Sequence, residues 1–137
     1  MRHCKCGMAY SPFDEHFADK MILQPGPAPK STLIMGAMQF TTQRTRWMVV
    51  RRPDYMKAGP WATVVWIGNH SGGSLLQLAF FDHASGGVEI RWLNEKLLYG
   101  SVWWGRIVST DFVLDVERKT FIYREMANYG ELVQPCQ

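Results

Sequence analysis

The chain has 137 residues, 47% of them hydrophobic and 20% charged, with a formal net charge of +3. A chain of this size and balance buries one real core and is globular rather than disordered. No apolar run nears the roughly 20 residues of a spanning helix, and so mild a charge falls short of the basic signature of a nucleic-acid binder.

Three cysteines stand at the extreme ends, Cys4, Cys6 and Cys136. A bridge from Cys4 or Cys6 to Cys136 closes nearly the whole chain into a loop, the span that the chain-entropy account rewards most. Three free thiols in a reducing compartment are the equal alternative, and an odd count leaves one thiol over in either case. Cys4 and Cys6 are too close to bridge each other without strain. The start carries no charged segment followed by an apolar one, so no signal peptide is visible and a protein of an oxidising compartment would be a processed form. His3, Cys4 and Cys6 lie close enough to suggest a copper or nickel site, but disulfide use explains them better.

"SPFDEHFADKMIL" (11–23) reads as a short helix. Ser11 suits the N-cap, Pro12 the first turn, and Asp14 and Glu15 the positive end of the dipole. Phe13, Phe17 and Met21 recur every four residues as one apolar stripe. "QPGPAPKS" (24–31) then stops it, because Pro25, Pro27 and Pro29 cannot continue a helix.

From Leu33 onward "LIMGAMQF", "RWMVVR", "ATVVWIG", "LLQLAFFD", "VEIRWLN", "SVWWGRIV", "DFVLDVE" and "TFIYRE" are apolar runs of strand length between polar breaks. Seven Phe, six Trp and five Tyr strengthen the β tendency. Phe112, Leu114 and Val116 alternate with Asp111, Asp115 and Glu117, Val113 apart, as in strands packed on one face and wet on the other. "FDHASGGVEI" (81–90) echoes "LDVERKTFIY" (114–123), each reading as a hairpin whose Asp caps the turn. Corners of this kind occur in propeller blades. The expected fold is therefore all-β: an antiparallel, propeller-like or twisted-sheet arrangement of about eight strands with a short N-terminal helix. Residues 1–32 form the helix and its Pro-rich connector, and 33–137 the β-rich body of one compact unit.

Between two of the strands lies His70-Ser71-Gly72-Gly73-Ser74, longer than a plain reversal needs. His70 and Ser71 do not make a nucleophile and base, because neighbours at a strand end point apart and no helix follows as a nucleophile elbow requires. Asp82-His83 has the same defect, and Cys136 sits too near the C-terminus for a formed cleft. An enzyme is not expected. The segment lacks the GxxxxGK[ST] pattern of a phosphate cradle. Arg44, Arg46, Arg51 and Arg52 near Trp47 form no continuous stripe and read as a charged strand edge. Trp103 and Trp104 are neighbours aimed at opposite faces; cover by other strands is the plain reading and an interface anchor the sharper one. Glycines at 72 and 73 allow a foreign backbone to approach, and the hydroxyls of Ser71 and Ser74 add hydrogen bonding without bulk. A generous hairpin turn is the plainer reading of the same residues.

"HSGGSLLQLAFFDHASGGVEI" resembles the central segment of immunity proteins that protect bacteria from type VI secretion cell-wall amidases. The likeness falls on Ser71, Gly72, Gly73 and Ser74, then on Leu78, Phe81 and Asp82, and covers some twenty residues of 137. Gly73 stands where the family pattern has Ser. The resemblance implies a non-enzymatic periplasmic inhibitor, without cofactor or metal, whose partner is a papain-like Cys–His amidase. Ser71 or Ser74 would hydrogen-bond the partner's catalytic histidine, with His70, Trp103 and Trp104 completing the contact. A periplasmic setting would suit a terminal disulfide. The alternative is a small-ligand protein, binding sugar or peptide in a pocket lined by Trp66, Trp92, Trp103 or Trp104; a hydrolase using His70 or His83 is the third reading. Oligomeric state is left open, a homo-oligomer included.

Overall fold

A computed structural model describes residues 9–12, 20–30 and 37–128. Within them run ten strands: β1 (Ala9–Pro12), β2 (Met21–Gln24), β3 (Gln39–Phe40), β4 (Arg46–Arg51), β5 (Trp61–Asn69), β6 (Ser74–His83), β7 (Val88–Trp92), β8 (Leu97–Trp103), β9 (Val108–Asp115) and β10 (Thr120–Asn128). They make two five-stranded antiparallel sheets, ordered β2-β6-β5-β4-β3 and β1-β10-β9-β8-β7. Each is a four-stranded meander extended by one strand from the N-terminal part of the chain. The described residues form no propeller and no closed barrel. Each sheet turns an apolar face toward the other, and facing each other they bury both.

The shared core shows the alternation that builds it. Met48, Val65, Ile67, Leu76, Leu78 and Phe80 come from one sheet, and Val88, Ile90, Leu98, Val102, Phe112 and Leu114 from the other. Phe80 meets Phe112 across the gap at 5.7 Å between ring centroids. The outer face of the first sheet is apolar as well: Trp47, Val49, Val64, Trp66 and Ala79 are buried there beneath Ala28, Met38 and Phe40. The outer face of the second is polar. Glu89, Ser101, Asp111 and Glu125 are successive cross-strand neighbours on it, and burial together with Asp111 and Glu89 pushes the Tyr99 phenol above its ordinary range.

No α-helix occurs among the described residues, and the expected N-terminal helix is not borne out. Ser11 and Pro12 end β1, while Met21, Ile22 and Leu23 lie in β2; positions 13–19 fall outside the described residues. Met21 is buried and Leu23 half-buried, with Ile22 and Gln24 exposed between them, which is the period of a strand. Pairing of β2 with β6 overrides the local helical signals, an example of tertiary context winning over propensity. Pro12 is tolerated because β1 is an edge strand with no neighbour to receive a second ladder.

Two further expectations change. "SVWWGRIV" is not one strand: β8 ends at Trp103, residues 104–107 turn, and β9 begins at Val108. The echo between 81–90 and 114–123 is not a repeated hairpin either, since β6 and β7 belong to different sheets. Asp115 does cap its turn, accepting from the N–H groups of Glu117 and Arg118 at 3.0 Å each. Asp82 caps none. It is the extra residue of a β-bulge opposite Trp61 and Ala62, with φ 57°. The true repetition is between whole meanders, β3 to β6 and β7 to β10.

One side of the sandwich is fastened by side chains reaching across it. Arg52 donates to the Val88 carbonyl (2.6 Å), Trp92 Nε1 to the Gln39 carbonyl (3.0 Å) and Arg46 to the Glu95 carbonyl (2.5 Å). The bonds from Arg52 and Trp92 engage carbonyls of the β7 and β3 edge strands, and that from Arg46 a carbonyl of the β7–β8 turn.

Candidate functional site at the tip of the β5–β6 hairpin

β5 and β6 are the longest pair of strands, and residues 70–73 join them. His70, Ser71, Gly72 and Gly73 are all exposed. Ser74 opens β6. The base of the hairpin is held by Trp47, whose indole lies so close over Gly68 that an added Cβ would sit 2.9 Å from Cη2. The same indole donates from Nε1 to the Asn69 carbonyl at 3.1 Å. Only glycine leaves room for that stacking. A register shift between Ile67 and Gly68 lets the hairpin bend there.

The tip is braced by the neighbouring β3–β4 turn. The His70 N–H donates to the Thr45 carbonyl at 2.9 Å, and the Gly72 N–H reaches the Asn69 carbonyl at 3.4 Å. The second meander repeats the arrangement, Val116 N–H donating to the Lys96 carbonyl at 2.9 Å. Glu95 joins the two halves: its carboxylate accepts from the Gln43 N–H at 2.6 Å and from the Thr45 hydroxyl. Desolvation pushes the Glu95 carboxyl up, but hydrogen bonds from Thr41, Thr45 and Gln43 prevail, holding it at about 2 rather than its ordinary 4.5. Between the two turns Gln43, Arg44, Thr45, His70 and Ser71 line an open cleft of about 450 Å³.

A depressed folded value means that this clasp stabilises the fold fully above the unfolded carboxyl's pKa and is lost as pH falls from about 4.5 toward about 2. Glu95→Gln is expected to weaken the protein at neutral pH and to flatten the acid limb of its stability. Urea midpoints measured from pH 7 down to pH 2 (about the folded value) check this; a parallel acid limb in the variant would refute the clasp.

Gly72 and Gly73 are not required by the turn. Neither adopts a left-handed φ, and an added Cβ at either would meet nothing within 4 Å, as is also true of Gly105. Gly68, Gly86 and Gly100 contrast with them: the first and last are demanded by an aromatic ring above, and Gly86 by a φ of 68°.

The other expected contact residues lie elsewhere. Trp103 ends β8 and bonds through its backbone to Ala84 and Gly87, beyond the far end of β6. With β6 running from Ser74 to His83, that is about 30 Å from the tip. Trp104 packs against the core and donates from Nε1 to Thr110 Oγ1 at 2.8 Å. The structure therefore does not bring Trp103 and Trp104 to the tip. Nor do the tryptophans line one pocket: Trp66 belongs to the outer apolar cluster, whereas Trp92 and Trp104 pack against the central one. Cys4, Cys6 and Cys136, with His3, lie outside the described residues. Among the described residues no group of three His, Cys, Asp or Glu is placed to hold a metal ion.

His83 is buried and structural. Its Nδ1 donates to the Ala84 carbonyl at 2.8 Å, leaving Nε2 to accept from the Thr63 hydroxyl at 2.8 Å. Thr63→Val leaves that nitrogen unpaired in the interior and is expected to cost about 1–3 kcal/mol; a denaturation midpoint equal to wild type would contradict the assigned bond.

Comparison with protein-family models, curated proteins and solved structures finds no match for this chain. The site is therefore read from its own geometry. Sequence reasoning located the tip by its polar break between apolar runs, but read Arg44 and Trp47 as part of a charged strand edge and missed Thr45 and Glu95. Trp47 and Gly68 carried a weak signal, since Gly inside a strand marks close approach of another group. Nothing local could pair Glu95 with a turn fifty residues earlier.

Proposed function

We propose that the protein is a non-enzymatic inhibitor that inserts the 70–73 tip into the active-site groove of a partner enzyme. The observation that carries this reading is a braced, exposed hairpin end bearing two adjacent glycines for which the fold has no use. Glycine costs backbone entropy on folding, and here neither turn geometry nor packing offsets it. Close approach of a foreign main chain does. Ser71 supplies a small hydroxyl at the same point, and the Trp47 and Thr45 contacts leave little ordering entropy to lose on binding.

The partner proposed is a papain-like Cys–His cell-wall amidase in the periplasm, on the strength of the sequence likeness around Ser71–Asp82. Ser71 would hydrogen-bond the catalytic histidine and deny it to the thiol, while the glycines lie along the groove wall. No bond is cleaved and no cofactor takes part. The test is inhibition of a panel of small secreted Cys–His amidases by stoichiometric protein. One enzyme should be titrated to inactivity by the wild type and spared by Ser71→Arg and Gly72→Trp. Equal inhibition by both variants, or none by the wild type, overturns the proposal.

A further inference from the structure

We infer that the cleft beside the tip, between the β3–β4 and β5–β6 turns, receives an acidic segment of the bound partner, with Arg44 as its carboxylate anchor; this rests on the tip being the binding element. The cleft-lining residues Gln43, Arg44, Thr45, His70 and Ser71 include a cation, an imidazole, an amide and two hydroxyls, but no acid. The carboxylate that does touch this turn is already occupied, since Glu95 spends one oxygen on the Gln43 N–H and the other on the Thr45 hydroxyl. Arg46 is occupied too, with Nη1 on the Glu95 carbonyl.

Arg44 is different. It is exposed, has φ 58°, and lays its guanidinium over the Phe40 ring at 3.9 Å from the centroid. Unlike Lys20, which pairs with Asp82, and Arg118, which pairs with Asp115, Arg44 has no carboxylate partner among the described residues. A guanidinium stacked by its face keeps its N–H edge for a planar acceptor, and a carboxylate fits that fork with two parallel hydrogen bonds. Stacking also restricts the side chain before the ligand arrives, which reduces the entropy lost on binding. Exposed Lys96, next to Glu95 in the β7–β8 turn, adds positive charge at the same end of the sandwich. The acids Glu89, Asp111 and Glu125 lie instead on the outer face of the second sheet. Asp115 and Glu117, at the β9–β10 turn joined to Lys96, place acids at this end too, Asp115 being engaged by its own turn and Arg118. The charge lining the cleft itself is that of Arg44, and it steers an acidic partner segment there.

The test is a titration of the isotopically labelled full chain with a capped hexapeptide of Asp and Glu, against a capped Lys hexapeptide of equal length. Saturable amide shifts are expected at 43–45 and 70–71 with the acidic peptide alone, weakening as salt rises. Arg44→Gln should raise the dissociation constant about tenfold, the loss expected for a charge-assisted pair. Equal shifts from both peptides, no saturable shift, or unchanged binding by Arg44→Gln would each overturn the inference. The peptide readout needs no partner enzyme, so its failure leaves tip insertion standing. Failure of tip insertion appears separately, as undiminished amidase inhibition by Gly72→Trp.

Discussion

Gly72→Trp is expected to weaken inhibition of the partner enzyme by about 100-fold or more, the range reached when a central interface position is blocked. The fold should not be weakened by the change. An added Cβ at this position meets nothing within 4 Å, and the backbone is outside the left-handed region. Exposed substitutions of that kind cost at most about 0.5 kcal/mol, and any residue in place of glycine removes freedom from the unfolded chain, so the urea midpoint of the variant should lie at or slightly above that of the wild type. Gly72→Ala serves as the graded control. It removes freedom from the unfolded chain and should stabilise by about 0.4–1 kcal/mol, while a single methyl costs binding far less than an indole. A stability loss in either variant would show that the tip packs on its own protein. Retained inhibition by Gly72→Trp would show that the tip stays outside the groove.

The second large effect lies in the core. Phe112→Ala should lower the unfolding free energy by about 3–5 kcal/mol, a large part of the total for a protein of this size. The ring is fully buried, lies 5.7 Å from Phe80 across the sheets and meets Phe121 edge-on at 5.5 Å. Beneath it is Gly100, its cross-strand neighbour on β8, where an added Cβ would collide with the Phe112 ring and stand 2.8 Å from Ile90 Cδ1. Held between two other rings, Phe112 has nowhere to swing. Gly100→Ala alone should therefore cost about 1–3 kcal/mol by overpacking. In the Phe112→Ala background that cost should largely vanish, because the colliding ring is gone. A double-mutant cycle from urea midpoints measures the coupling; additive effects would mean that the two positions do not share the space assigned to them.

How far the sequence reached can be judged from particular residues. The apolar run "RWMVVR", bounded by arginines, marked the limits of β4, and the runs at 62–68 and 75–82 lay within one residue of β5 and β6 at either end. The polar break between the latter two located the tip. Short apolar runs of strand length, several with a period of two, are carried by each stretch of sequence, so all-β character and the place of the turn were legible there. Positions 21–23 were not, because the four-residue spacing that ends at Met21 is a local signal whereas β2 owes its form to pairing with β6. "SVWWGRIV" misled in the same manner: an apolar run shows where burial is, not where the chain reverses.

What the sequence by itself determined is therefore a set of strands, their buried faces and a small, glycine-bearing reversal between two of them. Tertiary structure alone decided that two meanders face each other, that Trp47 is seated on Gly68 beneath the tip, and that Glu95 clasps Gln43 and Thr45. The physical reason is range. Strand formation is written in neighbours two residues apart, while the placement of the tip depends on contacts between residues twenty to fifty positions apart, whose meeting no local pattern encodes.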